Sequence, residues 1–391
     1  YDGYLELDEA ASRLLDLAQS RGGDQVAVQE KGKDVRYYGG SSEAQEKRSK
    51  VRVRIVSHAL RDLIQKSSNV IICGHKVSDF DCLGSAMGLS RIIDAYHKPC
   101  CIIAKTGGIE AKLTRAMKLS TDAISERFTL GSENEALNQF KDNALVIMTD
   151  HHSLRQSNGR QVLEKAKKIV IIDHHRRSAE LEVKPILVYI EAGASSSCEL
   201  VTEFLPYVTN RVDLSELEAT IMLAGMTIDT NQFKVRTGAR TFEAAGVLRK
   251  NGANPSLVDE YLKDTYEDFE TKTLVLSQVE QLSNGIVISE IKDRVISRSL
   301  ISQAADTLLG VKGVEAAFVI ARIEERESGI TARSNGNLNV QVIMEKMKGG
   351  GHRTAAAVQR MDTSTIVLRE ELGKCIEEYL KENSDEGNLV K

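Results

Sequence analysis

Five short apolar runs constrain this chain more than any other feature: NVIICG (69–74), PCCIIAK (99–105), ALVIMTD (144–150), KIVIID (168–173) and ILVYIE (186–191). Four of them are continuously apolar and rich in β-branched residues, the pattern of strands buried on both faces of a parallel sheet. Longer amphipathic stretches separate most of them, among them CLGSAMGLSRIIDAY and SSSCELVTEFL. This alternation predicts an open α/β sheet with right-handed crossovers. LSELEATIMLAGM (214–226) and RTFEAAGVLRKNG (240–252) read as further helices, and another is expected from about 256 to 283.

Ahead of the sheet, residues 8–19 carry helical apolar spacing, and QVAVQ and DVRYYG read as a hairpin joined by EKGKD. Some 40 residues bury too little surface to stand alone, so this piece reads as the tail of a larger domain. Residues 40–50 (GSSEAQEKRSK) are polar and read as a linker. A second α/β unit begins near GIVISEI (285–291), continues through a helix (SRSLISQAADTLLGV) and a strand (AAFVIARIEE), and closes with TIVLREELGKCIEEYLKEN. It is expected to lie beside the first unit and leave a cleft.

Composition sets limits. At 391 residues the chain accommodates two or three domains. Its net charge of −4 argues against a surface that grips long nucleic acid, but not against a small phosphate-bearing ligand, because a bound metal supplies local positive charge. The six cysteines form no CxxC pair and read as buried free thiols suited to a reducing cytosol. No apolar run reaches the ~20 residues of a membrane span. A start at Tyr1, with no Met and no signal peptide, suggests a fragment with an upstream part removed.

The chemistry lies where acids and histidines fall relative to the strands. His75, Asp79 and Asp81 follow NVIIC; Asp150 ends one strand; Asp173, His174 and His175 end another; Asp229 closes an apolar helical run. In an open parallel sheet, sites form outside the carboxyl ends of the strands, so these distant residues can share one crevice. Four or five carboxylates with two or more imidazoles would repel one another unless cations were present. Oxygen and imidazole donors favour Mn²⁺, Fe²⁺, Co²⁺ or Mg²⁺ over a thiolate zinc site. A carboxylate with ligands on either side suits a dinuclear centre and phosphoester hydrolysis. His151 and His152 either touch substrate, support the ligands or sit in a polar loop. His58 and His97 read as structural or solvated.

In the second unit, Gly349, Gly350 and Gly351 let backbone approach a ligand closely. The residues after GGGH read as a helix whose N-terminal amides could face a phosphate, with a plain turn as the alternative. Arg333, Ser334, Asn337, Asn339 and His352 could add phosphate and base contacts across the cleft.

These residues resemble a family pattern. GHKVSDFDCLG, the Asp150 strand end, IIDHHRR and IDTNQF look like the four motifs of the DHH superfamily, and GGGH resembles the glycine-rich motif of its DHHA1 domain. The resemblance covers roughly residues 52–380 and is strongest to GdpP-type cyclic-di-AMP phosphodiesterases, through EKRSKVRVRIVSHALRDLI, VYIEAGASSSCELVTEFL, TIDTNQFKVRTGARTFEAA and NVQVIMEKMKGGGH. It implies an α/β DHH domain with an open, mostly parallel sheet, a smaller α/β DHHA1 domain, and an active site in the interdomain cleft. The implied boundaries are 1–39 for the end of a degenerate GGDEF domain, 40–51 for a linker, 52–283 for DHH with its connecting helices, and 284–391 for DHHA1. RGGDQ (21–25) imitates the GGDEF signature but falls at that domain's end and receives no catalytic role.

Carried over position by position, the resemblance gives one metal His75, Asp79 and Asp150, and the other Asp81, Asp150, His174 and Asp229. His175 would contact the scissile phosphate, and Arg333 and His352 would help hold the substrate. The family's GHKNPDMDA reads GHKVSDFDC here, which keeps the three ligands and puts Cys82 where a small residue is common, a slight perturbation of their surroundings. Its DTH reads DHH, so His152 matches the family histidine and His151 is the departure. The implied reaction opens cyclic di-AMP to linear 5′-pApA with water activated by two divalent ions, Mn²⁺ being expected. A homodimer and a membrane anchor upstream of a cytoplasmic catalytic part are also implied, with no membrane contact from this fragment. Two rivals share the pattern: a nanoRNase-like enzyme acting on short RNA or 3′,5′-bisphosphate nucleotides, and a catalytically silent cyclic-dinucleotide sensor.

Overall fold

Strands whose residues are all buried supply the centre of the first unit. The computed structural model describes residues 3–20, 25–33, 35–39, 49–176 and 181–386. Most of RGGDQ and of the 40–51 linker lies outside the described residues. Two units divide between Lys263 and Asp264.

The first unit opens with α1 (Tyr4–Ser20) and the antiparallel hairpin β1 (Gln25–Val28) and β2 (Arg36–Gly39). Ser49 then caps α2 (Lys50–Lys66), its hydroxyl accepting from Arg52 N. The chain continues through β3 (Val70–Cys73), β4 (Val77–Ser78), α3 (Phe80–Asp94), β5 (Cys100–Ile103), β6 (Gly108–Ile109), α4 (Ala111–Leu119) and α5 (Thr121–Arg127). Next come β7 (Leu130–Gly131), α6 (Glu133–Asn138), β8 (Leu145–Thr149), α7 (Arg160–Lys165), β9 (Ile169–Asp173) and β10 (Leu187–Ile190). Helices α8 (Ser197–Phe204), α9 (Glu216–Asp229), α10 (Ala239–Lys250) and α11 (Pro255–Leu262) complete the unit.

Six strands form one parallel sheet in the order β10-β9-β8-β3-β5-β7. Side chains alternate between its faces. Val70, Ile72, Leu145, Ile147, Val170 and Ile172 enter the core that α2, α3, α8 and α9 cover. Ile71, Cys73, Val146, Met148 and Ile171 enter the opposite core, with Ala136 of α6 and Val162 and Leu163 of α7. Burial on both sides is why these runs read as unbroken apolar sequence rather than as alternation. The edge strand β7 is too short to show any periodicity, and the sequence reading had not included it.

Helices α3 and α9 cross closely because glycines line the contact. A Cβ on Gly84 would lie 3.1 Å from Met222 Cα, and one on Gly225 would lie 2.8 Å from Asp81 Cα. This crossing sets the first turn of α3 against the last turns of α9.

The second unit contains α12 (Tyr266–Ser277), β11 (Val279–Gln281), β12 (Ile286–Val295), α13 (Arg298–Leu309), β13 (Ala316–Glu324) and β14 (Glu327–Ser334). α14 (Val340–Lys346), β15 (Gly350–His352), β16 (Ala355–Met361) and α15 (Thr365–Glu386) follow. Its mixed sheet has the order β11-β12-β13-β14-β16-β15, with only β12 and β13 parallel. α14 and α15 cover one face and α12 and α13 the other.

Two expectations are corrected. The single helix from about 256 to 283 is α11 and α12, followed by strand β11. Lys263 leaves helical geometry (φ −56°, ψ 139°), and Thr265 starts a new helix by accepting from Asp268 N. The segment after GGGH is not a helix but β16, paired with β14 and β15. Ala356 and Val358 are buried there, and this two-residue alternation with cross-strand pairing overrides the helical preference of the alanines.

Candidate metal centre

Strand β3 has β5 on one side and β8 on the other, so the direction of winding reverses beside it. The crevice outside the carboxyl ends of strands at such a reversal is the natural site of an open α/β sheet. Into it the chain delivers His75 after β3, Asp150 after β8, and Asp173, His174 and His175 at and after β9. The helix crossing adds Asp79 and Asp81 from the start of α3 and Asp229 from the end of α9.

Asp150 lies at the middle of this group. Its Oδ2 is 3.3 Å from His75 Nε2, and its Oδ1 is 3.4 Å from His174 Nε2. It is buried, and its φ of +62° is left-handed, a conformation that costs a non-glycine residue roughly 1 kcal/mol but that aspartate tolerates better than most. Its amide still donates to Ile172 O, so the chain turns off the sheet only after that last ladder bond. On the His75 side, Asp79 Oδ2 lies 3.5 Å from His75 Nε2. On the other side, His174 Nε2 lies 3.1 Å from Asp229 Oδ2 and 3.7 Å from Asp81 Oδ2.

Neighbouring backbone fixes these positions. Asp79 caps α3, its Oδ1 accepting from Cys82 N at 2.9 Å. Asp81 accepts from Ser197 N at 2.7 Å and Cys198 N at 2.8 Å, the first two amides of α8. Ser197 Oγ donates to Asp150 Oδ1 at 3.1 Å. A helix N-terminus thus holds two carboxylates of the group. The loop before α7 anchors the His75 segment: Lys76 N donates to Gln156 O, and Gly74 N to Asn158 Oδ1.

The electrostatics are those of crowded buried acids. Burial pushes Asp81 well above the usual carboxylate range, and Asp150 and Asp229 reinforce it. Burial acts the same way on Asp150, but hydrogen bonds from His174 and His75 outweigh it and keep Asp150 ionised. Burial opposes protonation of His75 and His174, yet the facing carboxylates win and hold both imidazoles well above their ordinary value. Cationic compensation is therefore what the donor arrangement demands, and divalent ions supply it to several carboxylates at once. Two three-donor sets, Asp81/His174/Asp229 and His75/Cys82/Asp150, each have all their donor atoms within 4.8 Å of one another, as does Asp150/His174/His175. The buried, clustered acids and imidazoles fit such ions.

Asp173, the first residue of the DHH triplet at 173–175 but in neither of the two expected metal-ligand sets, orients two histidines. It is buried, and its Oδ1 accepts from His175 Nδ1 at 2.8 Å while its Oδ2 meets His152 Nδ1. Burial opposes its ionisation, but the two histidines hold it well below the ordinary range. His175 itself is half exposed. His151 turns inward instead, with Nδ1 on Thr149 O and burial pulling its pKa down to about 4. The amides of Ser197 and Cys198 were also missed. Ser196 three residues before Glu199, a helix-start signature, was the available signal.

In the second unit, Arg333 on β14 bonds Asp306 Oδ1 and Ala332 O. Ser334 is buried and donates to Leu338 O, and Asn337 donates to Glu315. Asn339 caps α14. Gly349 packs against Ala357 and Val358, Gly350 faces open space, and Gly351 (φ +148°) sits in β15 opposite Ala356, with His352 paired with Ala355 before the chain turns into β16.

Residues 69–226 match the family model described as the DHH family, N-terminal domain, and residues 283–382 match the DHHA1 domain. The chain belongs to the DHH family, as a DHH domain followed by DHHA1. More specifically, it is similar to the cyclic-di-AMP phosphodiesterase GdpP of Geobacillus thermodenitrificans, 41% identical over 380 residues that cover 96% of this chain and 57% of the relative. The cyclic-di-AMP phosphodiesterase PdeA of Listeria monocytogenes is 36% identical, over 97% of this chain and 58% of its own length. The chain thus spans less than two thirds of these relatives. A crystal structure of an exopolyphosphatase-related protein from Bacteroides fragilis superposes with a TM-score of 0.68 at 17% identity, covering 86% of this chain and 98% of that one, and shares the fold. No helix among the described residues is long and apolar enough to cross a membrane.

Proposed function

We propose that the chain hydrolyses one phosphodiester of cyclic di-AMP, giving linear 5′-pApA, at a centre of two divalent ions, Mn²⁺ in the first instance. The observation that carries this reading is Asp150, whose two oxygens face His75 on one side and His174 on the other. His75, Asp79 and Asp150 would hold one ion; Asp81, Asp150, His174 and Asp229 would hold the second. When bound, such a pair lowers the pKa of water and neutralises charge on a phosphoryl group.

The chain's own residues do the rest. The α8 amides fix both Asp81 oxygens, so this carboxylate keeps one orientation whatever its partners do. Asp173 holds His175 through Nδ1, which leaves the outer edge of a half-exposed imidazole to meet a phosphate oxygen. His152, tied to the other oxygen of Asp173, keeps that carboxylate from swinging toward the ligands. Arg333, Ser334, Asn337, Gly349, Gly350, Gly351 and His352 are the proposed substrate contacts of the second unit. The similarity to GdpP and PdeA supports a cyclic dinucleotide as substrate.

The test is a product assay in Mn²⁺ offering cyclic di-AMP, cyclic di-GMP and pApA to one preparation. Conversion of cyclic di-AMP to pApA, ahead of the other two, is expected. Faster turnover of pApA would make the chain an oligonucleotide-degrading enzyme, and tight binding without product would make it a sensor.

A further inference from the structure

We infer that Cys82 is a ligand at the His75 side of the centre, making that position a mixed sulfur, nitrogen and oxygen site that, besides Mn²⁺, takes thiophilic divalent ions such as Zn²⁺, Co²⁺ and Cd²⁺ more readily than the sulfur-free half of the centre does. This rests on the metal-centre reading above and deepens it.

The geometry comes first. The three-donor set around His75 is completed by Cys82 and Asp150, with all donor atoms within 4.8 Å of one another. Asp79, the carboxylate nearest in sequence, has one oxygen committed to capping α3 through Cys82 N. Cys82 is held in place. It lies in the first turn of α3, 2% exposed, and its sulfur folds over Gly74, where any Cβ would collide with it. Gly74 therefore makes the space that the sulfur fills, in contact with the segment carrying His75. The thiol donates to Ser78 Oγ, 3.9 Å away, and also hydrogen-bonds the His75 imidazole.

The chemistry follows from the donor types. Thiolate ligands select softer ions, whereas carboxylate and water suit Mg²⁺ and Mn²⁺. The set Asp81/His174/Asp229 contains no sulfur, so the two halves of the centre differ in softness. Burial pushes the Cys82 thiol above its ordinary range, so its proton leaves only as the metal binds. On binding, the S–H bond breaks, a sulfur–metal bond forms and the proton passes to solvent, with no change of oxidation state. Cys198, another buried thiol nearby, instead places its sulfur 3.4 Å from Asp81 O and, like Cys73, enters none of the three-donor sets among the described residues.

Cobalt titration of the whole chain in thiol-free, anaerobic buffer tests this by absorption rather than by turnover. Wild type is expected to show ligand-field bands together with a near-ultraviolet thiolate-to-cobalt charge-transfer band. Cys82→Ser and Cys82→Ala should keep the former and lose the latter, while Cys198→Ser keeps both. The preference for Zn²⁺ over Mn²⁺, measured by competition, should fall at least roughly tenfold in Cys82→Ala, the scale on which even outer partners of a ligand act. Ligand-field bands without charge transfer in wild type would overturn the role of Cys82 and leave the centre standing. Absence of both would overturn the centre itself. The wild-type spectrum alone decides between these results if a variant fails to fold.

Discussion

Gly225→Ala probes the helix crossing that assembles the site. Its new Cβ would lie 2.8 Å from Asp81 Cα, 2.9 Å from Asp81 N and 3.0 Å from Phe80 O, all backbone atoms that no side-chain rotation can move aside. Reaching the ~3.5 Å optimum of a carbon contact requires α3 and α9 to separate by about 0.7 Å. Overpacking of this kind costs ~1–3 kcal/mol, partly offset by the ~0.5–1 kcal/mol that alanine contributes over glycine in a helix. A net loss of about 1–2 kcal/mol in urea unfolding is expected, measured with chelator present so that metal does not contribute. The functional loss should be larger than the stability loss suggests, because Asp81 is pushed off the α8 amides and away from Asp229. Misplacement on the ångström scale costs on the order of 100-fold in rate. Gly246→Ala is the control. It lies in α10 with nothing within 4 Å of its new Cβ, so it should gain roughly 0.5–1 kcal/mol and leave turnover unchanged. Equal stability and equal Mn²⁺ affinity for Gly225→Ala and wild type would refute the reasoning, since the crossing would then be free to open without disturbing the ligands.

Asp150→Ala removes the carboxylate shared by both halves. Mn²⁺ at 100 times its dissociation constant should stabilise wild type by about 2.7 kcal/mol, and this increment, read by thermal shift, should vanish in the variant along with turnover. Asp173→Asn should keep the Mn²⁺ thermal shift but lower kcat by about 10–100-fold, because His175 and His152 lose their anionic partner; an unchanged kcat would remove Asp173 from the machinery. Thr265→Ala should cost about 1 kcal/mol in the stability of the second unit, read by hydrogen exchange in α12, through loss of its cap.

What the sequence revealed follows from how each signal is generated. Five strands of the first sheet were legible because burial on both faces writes itself as unbroken β-branched runs. The acids and histidines stood out because they follow those runs directly. Features made by tertiary contact were not legible. β7 is only Leu130–Gly131, and the Ala-rich β16 is a strand because β14 pairs with it. The break at Lys263 depends on a cap at Thr265 that competes with a continuous apolar pattern. The α8 amides around Asp81 are backbone groups, which no residue type advertises. Cys82 was read as a small perturbation because its relation to His75 depends on the glycine at 74, whose missing side chain admits the sulfur.

The placement of β3 has a consequence for synthesis. This fully buried strand is the first of its sheet to leave the ribosome, yet one of its two neighbours, β8, is translated only after β5, β7 and the intervening helices. Until then one long edge of β3 stays unpaired, the situation in which parallel sheets form slowly and nascent chains aggregate. Asp229 emerges later still, so an ion on the His174 side cannot guide the early steps; it can only select chains whose first unit has already closed.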